Sequence, residues 1–118
     1  MEKYKVFVYG SLMRGEFNHY ILERSIYLGR STTLKKYTLY DLGAFPAVVE
    51  GGNTSIVGEV FEVSGLTLMN LDALESHPQF YRRRLIELSG GQVVFMYILD
   101  PGFLRNELTI GSGNWKKR

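Results

Sequence analysis

Short segments rich in β-branched and aromatic residues recur along this sequence and are separated by glycine-containing turns. The segments that predict strands cover residues 5–9, 26–28, 32–40, 47–50, 56–63, 85–88 and 92–99. The last two flank Ser89-Gly90-Gly91 and form the clearest predicted hairpin. Many short strands at this spacing favour a strongly curled or closed sheet, which one or two helices would cover. The expected fold class is therefore α+β.

The composition is typical of one folded domain that covers residues 1–118. A chain of 118 residues can bury one substantial core but leaves little length for a second. The sequence contains no cysteine, which excludes disulfides, thiolate nucleophiles and cysteine metal sites and fits an intracellular protein. The two histidines, His19 and His77, offer little for a histidine metal site or a Ser-His-Asp relay. We therefore expect neither a metal nor a cofactor.

Charge and hydropathy exclude several classes of macromolecular partner. The formal net charge is +2, and the basic clusters at residues 82–84 and 116–118 are not part of any nucleic-acid-binding motif. Such clusters are more often a solvated strand face and a frayed terminus. The N-terminal sequence lacks the long apolar region of a signal peptide, and no apolar run reaches membrane length. We expect a cytoplasmic protein that binds neither nucleic acid nor membranes, and the sequence leaves its oligomeric state open.

Two segments favour helices. Residues 17–23 have mixed polarity and no glycine, so they predict a short helix. Residues 66–76 fit a second helix, with Ser64 or Thr67 as its N-cap. This helix should end there because Pro78 disfavours helical geometry in the residue before it.

Glu75 lies on an unexpected face of the second predicted helix. Leu68, Leu71 and Glu75 are spaced i, i+3 and i+7, so they share the stripe that should face the core. Burying an unpaired carboxylate costs several kcal/mol, so Glu75 needs a partner or stays protonated. It either pairs with an arginine of residues 82–84, caps a backbone amide, or lines a pocket. In a pocket, desolvation would raise its pKa until it accepts a proton near neutral pH.

The first predicted strand stops abruptly at Gly10-Ser11. The simplest explanation is a turn in which Gly10 is needed because it tolerates a positive φ. The alternative is a nest of backbone amides that binds a carboxylate or an oxyanion. The segment is neither a P-loop, since no Gly-Lys-Ser/Thr follows, nor a dinucleotide-binding fingerprint, since the third glycine is missing.

Five short motifs in a fixed order identify a family resemblance that extends along the whole chain. They are Tyr9-Gly10-Ser11-Leu12, Leu42-Gly43-Ala44-Phe45-Pro46-Ala47, Val57-Gly58-Glu59-Val60-Phe61, Leu71-Asp72-Ala73-Leu74-Glu75 followed by Tyr81-Arg82-Arg83, and Ser112-Gly113-Asn114-Trp115. Each motif is weak alone, but together they resemble the γ-glutamylcyclotransferase-like family, which includes plant avirulence-induced proteins and γ-glutamylamine cyclotransferases. Phe61 and Asn114 depart from the usual tyrosine and aspartate, which affects substrate fit rather than chemistry.

The resemblance implies a fold and a site. The family fold is a small mixed β-barrel with packed helices. The residue that matches the catalytic acid/base of the family is Glu75, and the loop that binds the γ-glutamyl group of a small-molecule substrate matches Tyr9, Gly10, Ser11 and Leu12.

Three further residues are candidates for contacting the substrate. Tyr81 would orient Glu75 or the substrate, although it is equally well explained as a strand aromatic. Arg82 would pair with the substrate α-carboxylate, although a solvated arginine is as common. Tyr97, on the partner strand of the predicted hairpin, is a weaker candidate.

The implied reaction is intramolecular. The α-amine of a γ-glutamyl amide attacks its own γ-carbonyl, which gives 5-oxoproline and a free amine, with Glu75 as general acid/base. One alternative is a deprotecting cyclotransferase in a biosynthetic pathway. Another is a non-catalytic or regulatory module that binds γ-glutamyl compounds or other small metabolites. A pure binder of an anionic group gains nothing from a buried glutamate, which favours the enzymes.

Overall fold

The structure is a computed structural model that describes residues 2–118, and it has the expected α+β class. One α-helix, α1 (Gly65–Leu74), and short 3₁₀ helices at His19–Leu22, Pro101–Phe103 and Trp115–Lys117 accompany the strands. The strands within residues 2–118 are β1 (Lys3–Val8), β2 (Ile26–Thr32), β3 (Tyr37–Asp41), β4 (Pro46–Glu50), β5 (Val57–Ser64), β6 (Tyr81–Glu87), β7 (Val93–Leu99) and β8 (Leu108–Thr109).

The strands form two open sheets, so the expectation of a closed barrel is wrong. The larger sheet has the order β2-β5-β1-β7-β6, and the smaller has the order β4-β3-β8. The larger sheet curls strongly enough for the ends of its edge strands to meet at one antiparallel bridge, Thr33 with Leu88. Pairing stops there because the chain leaves β2 and enters the smaller sheet. The curl is therefore confirmed, and closure is limited to a single bridge.

The central strand β1 places the loop that follows it in the middle of the molecule. β1 pairs with β5 in the antiparallel sense and with β7 in the parallel sense. Val6 and Phe7 are fully buried, as expected for a strand with neighbours on both sides. The residues that follow Val8 therefore emerge between β5 and β7, where β4 of the smaller sheet also lies against β7.

Helix α1 begins as predicted, with Ser64 as its N-cap. The Ser64 side chain accepts a hydrogen bond from the Thr67 backbone N–H at 3.2 Å. Leu68 and Leu71 are buried, which confirms the core-facing stripe inferred from the sequence. The first predicted helix, residues 17–23, is reduced to the 3₁₀ turn His19–Leu22.

The C-terminus of α1 has the hydrogen bonds of a Schellman motif. His77 N–H bonds to the Asp72 carbonyl at 2.9 Å, and Ser76 N–H bonds to the Ala73 carbonyl at 3.2 Å. Ser76 has φ 53°, the left-handed conformation that glycine usually supplies at this position. Glu75 is the C-cap residue of α1, one helical turn after the buried Leu71.

Within residues 2–118, no helix is both long enough and apolar enough to cross a membrane.

Candidate active site

A cavity of about 280 Å³ opens where β1 ends. Its walls come from the loop after β1, the turn before β4, the end of α1 and the strands β6 and β7. The lining residues are Val8, Tyr9, Gly10, Ser11, Leu12, Asn18, Phe45, Pro46, Leu74, Glu75, Ser76, Phe80, Tyr81 and Tyr97. Seven of the eight residues predicted for the site from the sequence are therefore brought together around one space.

Glu75 is the only carboxylate among the residues that line this cavity. Burial raises the pKa of its carboxyl from 4.5 to about 7. Within residues 2–118, its side chain makes no hydrogen bond or salt bridge, and Arg83 pairs with Asp72. The alternative in which Glu75 pairs with an arginine of residues 82–84 is therefore not realised, and the carboxyl group stays available to a ligand.

Three tyrosine side chains form a fixed wall of the cavity. Each hydroxyl donates its proton to another protein group: Tyr9 to the Tyr97 carbonyl at 2.7 Å, Tyr81 to the Pro46 carbonyl at 2.7 Å, and Tyr97 to Asp72 Oδ1 at 2.6 Å. Burial raises the pKa of all three phenols, and the charge of Glu75 raises those of Tyr9 and Tyr81 further. The tyrosines therefore stay protonated and hold the shape of the cavity around Glu75.

Three consecutive carbonyl groups of the loop after β1, those of Gly10, Ser11 and Leu12, accept hydrogen bonds from within residues 13–19. Gly10 O accepts from Met13 N at 3.1 Å, Ser11 O accepts from Asn18 N at 2.8 Å, and Leu12 O accepts from His19 Nδ1 at 2.9 Å. A carbonyl oxygen only accepts, so His19 carries its proton on Nδ1. The loop is thus folded back on itself before any ligand binds.

This arrangement leaves amide donors free. In a planar trans peptide the N–H points opposite to the C=O, so fixing the Gly10 and Ser11 carbonyls also fixes the following N–H groups. Those are the N–H groups of Ser11 and Leu12, and neither has a hydrogen-bond acceptor within residues 2–118. Two oriented amide donors without a protein partner therefore belong to residues that line the same cavity as Glu75.

An interaction between Arg14 and Glu59, which the sequence did not predict, fixes the loop after β1 at Arg14. Glu59, only 8% exposed, accepts a hydrogen bond from Arg14 N at 2.8 Å, and its other oxygen lies 3.6 Å from Arg14 Nε. The guanidinium of Arg14 also stacks on the Tyr27 ring, 3.6 Å from its centroid. The sequence indicates that Glu59 needs a partner, because it is an acidic residue inside the apolar strand 56–63. It does not indicate that the partner is Arg14, because the two residues lie far apart along the chain.

Gly10 is required for a reason other than backbone conformation. The expected turn is present, because the Gly10 carbonyl accepts a hydrogen bond from Met13 N–H, but the φ of Gly10 is not positive, so tolerance of a positive φ is not the reason for the glycine. A Cβ built on Gly10 would instead lie 2.7 Å from Pro46 Cγ and 2.8 Å from Pro46 Cδ. Close approach of the loop to β4 therefore demands a glycine here.

We expect Gly10→Ala to lower the free energy of unfolding by about 1–3 kcal/mol, since the added methyl overpacks against a buried proline. Urea denaturation measures the change. Gly90→Ala is the matched control, because a Cβ at Gly90 meets nothing within 4 Å. Equal stability of the two variants would contradict the close approach as the reason for the glycine.

Arg82 is not a residue of this cavity. Successive side chains of a strand point to opposite faces, so Tyr81 faces the cavity and Arg82 points away. Arg82 is exposed and lines a separate shallow depression together with Glu50 and Asp100. The remaining predicted residues line the cavity, and their roles in substrate binding stay predictions.

Several lining residues were not predicted as site residues. Phe45 and Pro46 belong to one of the five sequence motifs, but the motif gave no reason to place them beside Glu75. Asn18 reaches the cavity because its side chain donates to Ser11 Oγ at 2.9 Å. Within residues 2–118, no group of three His, Asp or Glu side chains is arranged to hold a metal ion.

The family comparison agrees with this geometry. The family model described as gamma-glutamyl cyclotransferase, AIG2-like, matches residues 6–117. The chain belongs to this family. A Vibrio cholerae protein that is named provisionally as a gamma-glutamylcyclotransferase is 46% identical over 113 residues, which is 96% of each chain. The gamma-glutamylcyclotransferase family protein YtfP of Escherichia coli K12 is 35% identical over 114 residues, which is 97% of each chain.

Solved structures of this family share the fold. The solution structure of ytfP from Escherichia coli has a TM-score of 0.71 and 34% identity, and the match covers 94% of this chain and 95% of that one. The crystal structure of an AIG2-like protein from Mus musculus has a TM-score of 0.76 and 26% identity, with 89% and 86% covered. The α+β fold and the family resemblance predicted from the motifs are therefore confirmed.

Proposed function

We propose that this gamma-glutamyl cyclotransferase family member releases 5-oxoproline from a γ-glutamyl amide. The main support for the proposal is the environment of Glu75. Its carboxyl is desolvated, has a pKa of about 7, and has no ionic or hydrogen-bond partner within residues 2–118. A structural carboxylate would be paired, whereas a general base is most effective with a pKa near the working pH.

The reaction uses the nucleophile that the substrate already carries. The α-nitrogen forms a bond to the γ-carbonyl carbon, which closes a five-membered lactam ring, and the bond from that carbon to the amide nitrogen breaks. Near neutral pH the α-nitrogen is largely ammonium, so ionised Glu75 removes one proton to free its lone pair and then delivers that proton to the departing nitrogen. The second proton that the α-nitrogen loses as the lactam forms leaves with the released amine as its ammonium ion. Orienting two groups of one molecule can supply roughly 7–11 kcal/mol of the barrier, so no enzyme nucleophile is needed.

The free amides of Ser11 and Leu12 support the same proposal. A γ-glutamyl substrate presents an α-carboxylate, and its tetrahedral intermediate presents an oxyanion; both are anions that need donors. Amide donors fixed before binding serve either group without reorganisation, and losing one oxyanion donor costs about 2.7–4 kcal/mol in enzymes where it has been measured.

The decisive experiment incubates the protein with a panel of γ-glutamyl amines and γ-glutamyl amino acids and measures 5-oxoproline by chromatography. We expect 5-oxoproline and the free amine in equal amounts from at least one compound. Tight binding of panel members without any 5-oxoproline would instead identify a non-catalytic binding module.

We further expect kcat/KM to fall on the acid side with a midpoint near pH 7. The reason is that the free enzyme needs ionised Glu75, and its carboxyl binds a proton with a pKa of about 7. Activity should therefore drop about tenfold for each pH unit below this value. A midpoint near 4.5, the ordinary value for a glutamate, would contradict the role assigned to burial.

A further inference from the structure

The loop after β1 is held at Arg14 by contacts on both sides of this residue. The Arg14 N–H donates to Glu59 Oε1 at 2.8 Å, and the Arg14 carbonyl accepts from Lys116 Nζ at 2.8 Å. Glu59 belongs to β5 and Lys116 to the C-terminal 3₁₀ helix, so two parts of the chain that are far from the loop in sequence meet at one residue. Neither Glu59 nor Lys116 lines the cavity, so any effect they have on a bound ligand passes through the loop.

The contact with Glu59 is connected to the free amide of Ser11 through Met13. The Arg14 N–H and the Met13 carbonyl belong to one planar peptide, so Glu59 fixes the orientation of that peptide. On its other side, Met13 donates its N–H to the Gly10 carbonyl at 3.1 Å, and the side chain of Met13 is buried. The Gly10 carbonyl shares a peptide plane with the Ser11 N–H. Glu59 therefore helps to set the direction of an amide donor at the cavity.

The contact with Lys116 restrains the loop next to a flexible residue. Gly15 follows Arg14 and has φ 84°, and a Cβ built on it would meet no atom within 4 Å. Glycine has the largest conformational freedom of all residues, and packing does not limit it here. The hydrogen bond from Lys116 fixes the peptide that joins Arg14 to Gly15. Without this bond, that peptide would be free to rotate and Arg14 would be held from one side only.

The C-terminal sequence motif places the backbone of Lys116. A Cβ on Gly113 would overlap the Ser55 carbonyl oxygen, so close approach to the segment before β5 demands a glycine. Asn114 Oδ1 accepts a hydrogen bond from the Lys116 N–H at 3.0 Å, and Trp115 is buried. The last of the five motifs therefore fixes the 3₁₀ helix from which Lys116 reaches the loop after β1.

We propose that Glu59 and Lys116 are positioning residues, which hold Arg14 so that the free amides of Ser11 and Leu12 keep their orientation towards a bound anion. This inference rests on the proposed function, because the anion is the α-carboxylate or the oxyanion of the γ-glutamyl substrate. A misplacement of about 1 Å that originates far from the reacting atoms can cost about 10²-fold in rate. Partial release of the loop is therefore measurable in the kinetics.

Removing the ammonium group of Lys116 tests the first contact. In Lys116→Met, which keeps an unbranched side chain without a donor, we expect kcat/KM for 5-oxoproline formation to fall about 10-fold. Lys116→Arg should recover most of this loss, because a guanidinium N–H can donate to the same carbonyl. Lys117→Met is the matched control, since within residues 2–118 the Lys117 side chain makes no hydrogen bond or salt bridge. Equal kcat/KM values for Lys116→Met and Lys117→Met would overturn the role of Lys116.

Two substitutions of similar size test the contact with Glu59. Glu59→Leu removes the acceptor, whereas Glu59→Gln keeps an oxygen that can accept from the Arg14 N–H. We expect kcat/KM of Glu59→Leu to lie about 10-fold below that of Glu59→Gln. Both should fold, because the Arg14 side chain is 54% exposed and stays hydrated when the ion pair is lost. Equal kcat/KM values for the two variants would overturn the role of Glu59.

The pH dependence separates positioning from a general disturbance of the site. The midpoint of kcat/KM depends on the burial of Glu75, and neither Glu59 nor Lys116 lines its cavity. The kcat/KM of Lys116→Met and Glu59→Leu should therefore fall by the same factor at every pH, with an unchanged midpoint. A shifted midpoint would show that the surroundings of Glu75 have changed and would overturn the inference. Unchanged activity of both variants would overturn it and leave the proposed function intact, whereas no 5-oxoproline from the unmodified protein would overturn both.

Discussion

Glu75→Gln is expected to lower kcat for 5-oxoproline formation by about 10²- to 10⁴-fold, the contribution typical of a general acid–base group. Glutamine keeps the shape of the side chain and its place after the last turn of α1. It can neither remove a proton from the substrate α-amine nor return one to the departing nitrogen. Steady-state kinetics with the best substrate of the panel measures the loss, and KM should change little because the amide donors of Ser11 and Leu12 are untouched.

Two further variants show whether the fall in kcat comes from the loss of the Glu75 carboxyl group. Glu87→Gln makes the same substitution on an exposed residue of β6 outside the cavity, so its kcat should equal that of the unmodified protein. Glu75→Asp retains a carboxyl but withdraws it by one methylene, so its kcat should lie between those of the unmodified protein and Glu75→Gln. Near-full activity of Glu75→Gln would mean that another group moves the proton.

The strands and the curl of the large sheet were predictable because they depend on local pattern. The spacing of apolar segments and turns gives most strands within a few residues. The way the sheet ends was not predictable, because closure depends on whether β2 continues past Thr33 to pair with β6. Beyond β2, Thr33 bonds to Ile56 instead: its N–H donates to the Ile56 carbonyl at 3.0 Å, and its Oγ1 accepts from the Ile56 N–H at 2.9 Å.

The position of Glu75 was predictable for a different reason. Helical periodicity alone placed a carboxyl on the same face as Leu68 and Leu71, and an apolar environment for an acid is rare enough to indicate function. Its lack of a partner was not predictable, because the sequence does not show which acidic residue each arginine of residues 82–84 pairs with, and Arg83 pairs with Asp72.

The aromatic residues Phe45 and Phe80 of the cavity lining show the limit of sequence reasoning. Phe45 and Phe80 lie far apart in the chain, and no periodicity relates a turn before β4 to a turn after α1. Gly10 likewise suggests a positive φ in the sequence, whereas glycine is required there because the Pro46 ring occupies the space that a side chain would need. Tertiary contacts of this kind shape the cavity, and local pattern does not encode them.

The cost of keeping Glu75 in this cavity should appear in the stability of the protein. The pKa of its carboxyl is near 4.5 in the unfolded chain and about 7 in the folded one. Between these values the folded protein holds a proton that the unfolded chain releases, so the free energy of unfolding falls as pH rises from 4.5 to 7. With a shift of this size, ionised Glu75 destabilises the folded state by up to about 3 kcal/mol above pH 7.

We therefore expect Glu75→Gln to gain stability over the unmodified protein as pH rises, by about 2 kcal/mol between pH 5 and pH 8. Urea denaturation of both proteins at several pH values measures the difference. Any change in packing caused by the amide is the same at every pH, so the pH-dependent part reports ionisation alone. Glu87→Gln, on the exposed surface of β6, should show no such trend. A pH-independent difference for Glu75→Gln would show that the carboxyl is as well solvated in the folded protein as in the unfolded chain.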